Sequence, residues 1–234
     1  MQDESKMERV STGELVEVLR GRTQFYLMLA GLYYKPLTQE QIDHMAEQNF
    51  SGFDTDEELL DAGFNDIRRS LRKRHTGTRS ILATEWTGIF GGAESYEGHY
   101  CVPEASLFLD DSGLTYGWPR DEVSRVYREQ CLRLEDNAGL PESHLSFELE
   151  FLAIMSEEIA QHLIAGETED AVRKVELSQR FIEQHVLTWL SKLYELAMKM
   201  FRTRFYRGVM RVTLGYLQFD LKMLGDIKVE VQEA

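Results

Sequence analysis

The side chains able to do chemistry gather in one run, Pro141-Glu-Ser-His-Leu-Ser-Phe-Glu-Leu-Glu-Phe-Leu152. His144 and Glu148 stand four apart and share a face of any helix drawn through them, whereas Glu150 points elsewhere. Such a set offers metal ligation or the attraction of a cationic group. Metal ligation has little else to build on. A di-iron carboxylate bundle needs paired Glu-x-x-His, and the chain has His144-x-x-x-Glu148 and Glu158-x-x-x-His162 instead. His99-x-Cys101 lacks co-ligands. Gly91-Gly92 makes neither a P-loop nor a dinucleotide fingerprint, and no nucleophile elbow or Cys-His motif is present. The expectation is a binding protein rather than an enzyme, with no metal and no cofactor. Attraction of a cation has more support. No Lys or Arg occurs from Leu134 to Val172, and ten acidic residues lie between them. Two basic runs, Arg68 to Arg79 and Lys192 to Arg211, oppose this stretch.

Helices must position these residues. Gly139-Leu-Pro141 ends one helix and starts another. Ser143 stands where an N-cap belongs. Leu145, Leu149, Leu152 and Ile159 follow as a buried stripe, and Gly166 stops the helix. Upstream, Ser11-Thr-Gly-Glu14 and Thr38-Gln-Glu-Gln41 are capping boxes, the second opening a helix closed by Gly52. Thr55-Asp-Glu-Glu58 opens a third helix, and Ile81 to Phe90 marks a fourth that holds Trp86 and Phe90. From Gly91 to Trp118 the helical pattern fails in a long loop rich in glycine and aromatics, including Tyr100 and Trp118. A long loop inside a domain is usually functional or disordered, and its five aromatics argue for packing. Pro119 begins a fifth helix running to about Ala138. Thr168 caps a seventh, and Leu187 to Leu224 hold two more with kinks near Thr203 and Gly208. The polar tail from Gly225 is expected to fray. No sheet is expected. The fold class is all-α, one bundle of about nine helices, with an N-terminal part of about 1–112 and a C-terminal part of about 113–234.

Length and charge set the bounds. At 234 residues the chain suits one domain. A net charge of −14 argues against nucleic acid and suits a basic partner. Cys101 and Cys131 form no framework, the N-terminus lacks an apolar signal region, and no stretch has the roughly 20 apolar residues a bilayer span needs. A cytoplasmic protein without stable membrane insertion is expected.

The run Pro-x-x-His-Leu-x-x-Glu-Leu-x-Phe-Leu resembles the signature of the TorD/DmsD/NarJ family of chaperones for molybdenum-dependent redox enzymes. Glu85-Trp-Thr-Gly-Ile-Phe90 with Pro103-Glu-Ala-Ser-Leu-Phe-Leu-Asp110, and His185-Val-Leu-Thr-Trp189-Leu190 with Phe205-Tyr206, resemble two further blocks in family order. Where the family usually has Asp before the histidine, this chain has Ser143. The resemblance implies an all-helical chaperone that holds an immature molybdopterin oxidoreductase subunit, through its twin-arginine signal peptide, until the subunit's cofactor is inserted. It also implies a monomer or a domain-swapped dimer. The peptide-binding residues it suggests are Trp86, Phe90, Tyr100, Ser106, Trp118, Pro141, Ser143, His144, Glu148 and Glu150. His144 stays open as a structural histidine, and Glu148 and Glu150 as a plain solvated face. The rival readings are a NarJ-like chaperone of a non-exported subunit, a helical enzyme with a small-molecule pocket under the 91–118 loop, and a generic adaptor.

Overall fold

Ser11 and Thr38 both cap as their sequences require. Each side chain accepts the N–H three residues on, and the residue there, Glu14 or Gln41, bonds back to the cap's own N–H. They open α1 (Thr12–Tyr34) and α2 (Gln39–Glu47). The computed structural model describes residues 10–48, 57–110, 116–134 and 139–233. Gly52 and Thr55, expected as helix signals, lie outside these residues. The remaining elements are α3 (Glu58–Arg72), α4 (Thr78–Ile89), strands β1 (Ser95–Tyr96) and β2 (His99–Tyr100), α5 (Ser106–Leu109), α6 (Trp118–Glu129), α7 (Leu145–Ala165), α8 (Thr168–Phe181), α9 (Leu187–Met200) and α10 (Arg204–Glu233). The all-α bundle expected from sequence is the observed fold.

Two helix pairs hold the bundle together. α1 packs along α7, and α3 packs along α10. The second pair lies close because of glycine. A Cβ on Gly63 would sit 2.7 Å from the Val212 nitrogen, and one on Gly208 would sit 2.8 Å from the Gly63 oxygen. Gly208 was expected to kink the chain. It lies inside α10 and serves as a contact, and the break falls earlier, at residues 201–203, between α9 and α10. There Glu85, on α4, accepts the N–H of Arg202 at 2.5 Å and of Thr203 at 2.9 Å, and also the Thr203 hydroxyl. A side chain from another helix thus supplies the start of α10 with acceptors for its free N–H groups.

Buried charge ties three helices. The Arg22 guanidinium donates to both Asp220 oxygens at 2.8 and 2.9 Å and to the Leu152 carbonyl at 3.1 Å, while the Tyr26 hydroxyl donates to Asp220 at 2.5 Å. α1, α7 and α10 meet at that point.

Four expectations need correction. The tail from Gly225 does not fray: α10 continues to Glu233 and buries Leu224, Ile227 and Val231. Their i, i+3, i+7 spacing carries the stripe through a polar composition. Thr168 is the first residue of α8 and makes no side-chain cap, since Glu167 precedes it. The helix that begins at Pro119 does not run to about Ala138: α6 ends at Glu129, and Cys131 just beyond it is left-handed (φ 57°). Downstream, α8 joins α9 through a π-helical turn, Ile182–Val186. The 91–118 loop includes a small antiparallel hairpin, Ser95 opposite Tyr100 and Tyr96 opposite His99. Glu97 (φ 51°) and Gly98 (φ 84°) turn it, both left-handed as a two-residue hairpin turn with the right twist demands. Among the described residues no helix is long and apolar enough to cross a membrane.

Candidate functional site

The start of α7 is pinned by the chain that follows the hairpin. Residues 104 and 144 form an isolated antiparallel bridge. The Leu145 N–H donates to the Pro103 carbonyl at 2.9 Å, and the Ala105 N–H to the Ser143 carbonyl at 3.2 Å. Two of the sequence blocks that stand far apart in the chain thereby become one structural unit.

Ser143 is not the cap. His144 holds that place, its Nδ1 accepting the Ser146 N–H at 3.3 Å and lying 2.8 Å from the Ser146 hydroxyl. The Ser143 hydroxyl instead donates to Glu104 at 2.6 Å, and the Ser106 N–H donates to the same carboxylate oxygen at 3.2 Å. Burial lowers the His144 pKa to about 4, so the ring is neutral at physiological pH. The accepting Nδ1 places its proton on Nε2.

Glu148 is not a solvated carboxylate. It is fully buried, together with Glu104, Ser106, Ser143 and Ser146. Both Glu148 oxygens, the second Glu104 oxygen, the Ser106 hydroxyl and the Trp189 indole N–H lack a hydrogen-bond partner among the described residues. Burial pushes the Glu148 pKa well above the usual carboxylate range, and Glu104 nearby pushes it the same way. The Trp189 indole, close by but short of a full hydrogen bond, offsets only part. Burial also raises Glu104, against the donors it receives from Ser143 and Ser106. Glu150 is half-buried and raised by the same cause.

Tyr127, buried on α6, lies in the field of these carboxylates. After burial, the causes that raise its pKa are Glu148, Glu150, Glu142 and Glu104. Its hydroxyl donates to the Glu142 carbonyl at 3.3 Å. At the rim, Arg120 grips the Glu142 carboxylate with two bonds, Nε at 2.6 Å and Nη2 at 3.1 Å. The same guanidinium lies 5.2 Å from the centre of the Tyr116 ring. Tyr116 and Trp118 are 62% and 52% exposed, and Tyr100 is 51% exposed on β2.

The structure brings Ser106, Pro141, Ser143, His144 and Glu148 together around the bridge, leaves Glu150 half-buried on another side of α7, and sets Trp118 at the start of α6, the helix that meets them through Tyr127 and Arg120 at Glu142. Trp86 and Phe90 lie elsewhere. The Trp86 indole donates to the Leu32 carbonyl at 3.0 Å, and Phe90 packs among Tyr33, Phe201 and Tyr206 in the core. Glu104, Arg120, Tyr127, Glu142 and Trp189 complete the site without having been picked out as its members. Trp189, Glu104 and Glu142 carried a signal, as members of the recognised blocks. His162, Glu167 and Asp170 bring one possible ligand atom each within 4.8 Å of one another. These groups already pair, His162 with Glu167 at 2.7 Å and Asp170 with Arg173. Glu158, four before His162, pairs with Lys174 at 2.6 Å.

Residues 56–195 match the family described as nitrate reductase delta subunit. The chain is 26% identical to the chaperone protein TorD of Vibrio atlanticus over 211 residues, covering 87% of this chain and 94% of that protein. It is 25% identical to the TorD of Vibrio cholerae over 211 residues, at 88% and 93% coverage. It is 23% identical to the TorD of Aliivibrio salmonicida over 209 residues, at 87% and 94% coverage.

Proposed function

The chain belongs to the nitrate reductase delta subunit family, and from that premise we propose that it is a chaperone of redox-enzyme maturation that works by binding and catalyses no reaction. Its client is the immature catalytic subunit of a molybdopterin oxidoreductase, recognised through a twin-arginine signal peptide and held until the subunit's cofactor is in place and export can proceed. The observation that carries this reading is the acidic rim beside Trp118. One guanidinium, that of Arg120, is already bound there in two-point fashion to Glu142 and stacked near Tyr116. The surface therefore has the carboxylates and aromatic faces that an incoming arginine uses. Trp118, Tyr116 and Tyr100 supply exposed apolar area for the leucines that follow the arginines.

Titration calorimetry of a twin-arginine peptide tests the proposal. Exposed ion pairs contribute roughly 0.2–1 kcal/mol each, so Glu150→Gln weakens binding only a few-fold. A buried aromatic contributes roughly 1.5–3 kcal/mol, so Trp118→Ala costs about ten-fold or more. Arg120→Ala frees Glu142 and tightens binding. Salt weakens the complex without abolishing it, because only the arginine half is screened. Absence of binding by the wild-type chain at any salt removes the signal-peptide reading. Capture of a non-exported subunit in its place supports the NarJ-like alternative.

A further inference from the structure

A second surface has the opposite charge. The C-terminal end of α3, the start of α4 and the start of α10 enclose a cavity of about 580 Å³ lined by Arg69, Arg72, Lys73, Thr78 and Arg204. Among the described residues Arg69, Arg72 and Lys73 have no acidic partner within ion-pair range. Arg204 shares Asp66 with Arg211, so that trio keeps one positive charge over. A neighbouring cavity of about 380 Å³ is lined by Ile81, Ile89, Met200 and Arg202 among others, and Ile81 and Thr203 belong to both walls. Together they form one groove, cationic at the α3 end, with Ile81, Ile89 and Met200 set beside Glu85, Glu94 and Arg202 beyond. Ile81, at the join, is 49% exposed. Met200 is the last residue of α9, so the groove lies at the opposite end of that helix from Trp189.

We propose that this groove binds an acidic, leucine-bearing segment of a partner protein, its carboxylates along Arg69, Arg72 and Lys73 and its apolar side chains over Ile81 and Met200. Three features select this occupant. The cations on α3 stand at i, i+3 and i+4 and spread over a helical turn, which suits successive carboxylates better than a single phosphate. The net charge of −14 repels a dense polyanion such as nucleic acid, yet leaves a local cationic patch able to hold a few carboxylates. At the far end Glu85 and Glu94 outnumber Arg202, so a second acidic group is disfavoured there and the segment takes one direction. A twin-arginine peptide has the wrong charge for this groove. The inference is independent of the signal-peptide site, and failure of that titration leaves it standing.

Fluorescence anisotropy on the full chain tests it. The probe is a short labelled peptide with a run of glutamates followed by leucines. Wild type is expected to bind, with affinity falling as salt rises from about 0.01 M to about 0.15 M and the Debye length shrinks from about 30 Å to about 8 Å. Arg69→Ala with Arg72→Ala, both on the exposed face of α3, weakens binding by about ten-fold, in line with two exposed pairs. Ile81→Ser weakens it as well. Arg173→Ala, an exposed α8 side chain outside both linings, leaves it unchanged. No binding by wild type overturns the proposal. So does equal binding of a peptide with glutamine in place of glutamate, an equal loss with Arg173→Ala, or binding of pyrophosphate alone with no binding of the peptide.

Discussion

Ser143 and Glu104 show, at the scale of single residues, how a buried carboxylate is held by a neutral donor. The resemblance places an aspartate before His144. Here a serine stands there and donates to the buried Glu104 of the facing bridge at 2.6 Å. Two carboxylates that close cannot both ionise at ordinary cost. Ser143→Ala leaves a buried acceptor short of its donor and is expected to cost about 1–3 kcal/mol in urea unfolding. Ser143→Asp, harmless to a cap, is expected to cost more at neutral pH, and Glu104→Ser in the same chain to recover most of the loss. A single Ser143→Asp variant as stable as wild type would show that the two side chains do not oppose each other. The neighbouring groups give the region a pH dependence of two signs. His144 has a folded pKa of about 4, below its ordinary 6.5, so its contribution is complete above 6.5 and is lost as pH falls toward 4. Glu148 runs the other way. Its folded pKa is raised, so stability is complete below its ordinary 4.5 and declines as pH rises through the folded value. Glu148→Gln keeps the shape and removes that decline. Its melting temperature should exceed that of wild type near pH 8, with the gap closing toward pH 4.5. A gap that does not vary with pH would rule out titration of Glu148 as the cause. The pair His144 and Glu148 was legible from spacing, but its burial was not. Periodicity tells which residues share a face, not that residues 103–106 and Trp189 come from elsewhere in the chain to cover it.

At the scale of elements, the ties between helices decide stability, and most of them are invisible to local pattern. Arg22 reads as one more polar position on α1 until Asp220, 198 residues away, comes into contact with it. Asp220→Asn leaves the guanidinium buried with a neutral partner and is expected to cost about 3–5 kcal/mol in denaturant unfolding. Arg22→Met combined with Asp220→Leu should come close to wild type, because desolvating the pair consumes much of what the attraction returns. If the single variant costs no more than the double, the pair contributes little to holding α1 against α10. The elements that sequence reading located well are those with both a cap and a stripe. α1 and α2 have capping boxes, and α7 ends at Gly166 with φ 74° as expected of a left-handed C-terminal glycine. The elements read poorly are those whose limits are set by contact. Glu85 fixes where α10 begins, Gly63 and Gly208 let α10 run past α3 without a kink, and the buried stripe through Val231 holds α10 together where its composition is polar.

At the scale of the whole molecule, the N-terminal and C-terminal parts expected from sequence do not have separate cores. α1 belongs to the first part and packs on α7 of the second, and α3 packs on α10 across the same division. Every complete core therefore needs one copy of each part, but nothing requires both copies to come from one chain. A dimer that exchanges its parts keeps all of these contacts and differs from two monomers only at the junction between them, so the balance follows concentration. We expect a dimer whose fraction rises with protein concentration and that forms slowly, since exchange requires opening both helix pairs. The Arg22–Asp220 tie offers a sharper check, because its two ends lie in different parts. One chain carries Arg22→Ala and the other Asp220→Ala, and each alone is destabilised by an unpaired buried charge. In an exchanged dimer of the two, one core recovers Arg22 with Asp220 and the other has neither. Refolding the mixture from denaturant should then give a heterodimer with higher yield and a higher melting temperature than either variant alone. Sizing that shows monomer only over a wide concentration range, or a mixture no more stable than its components, would mean that the parts stay with their own chain.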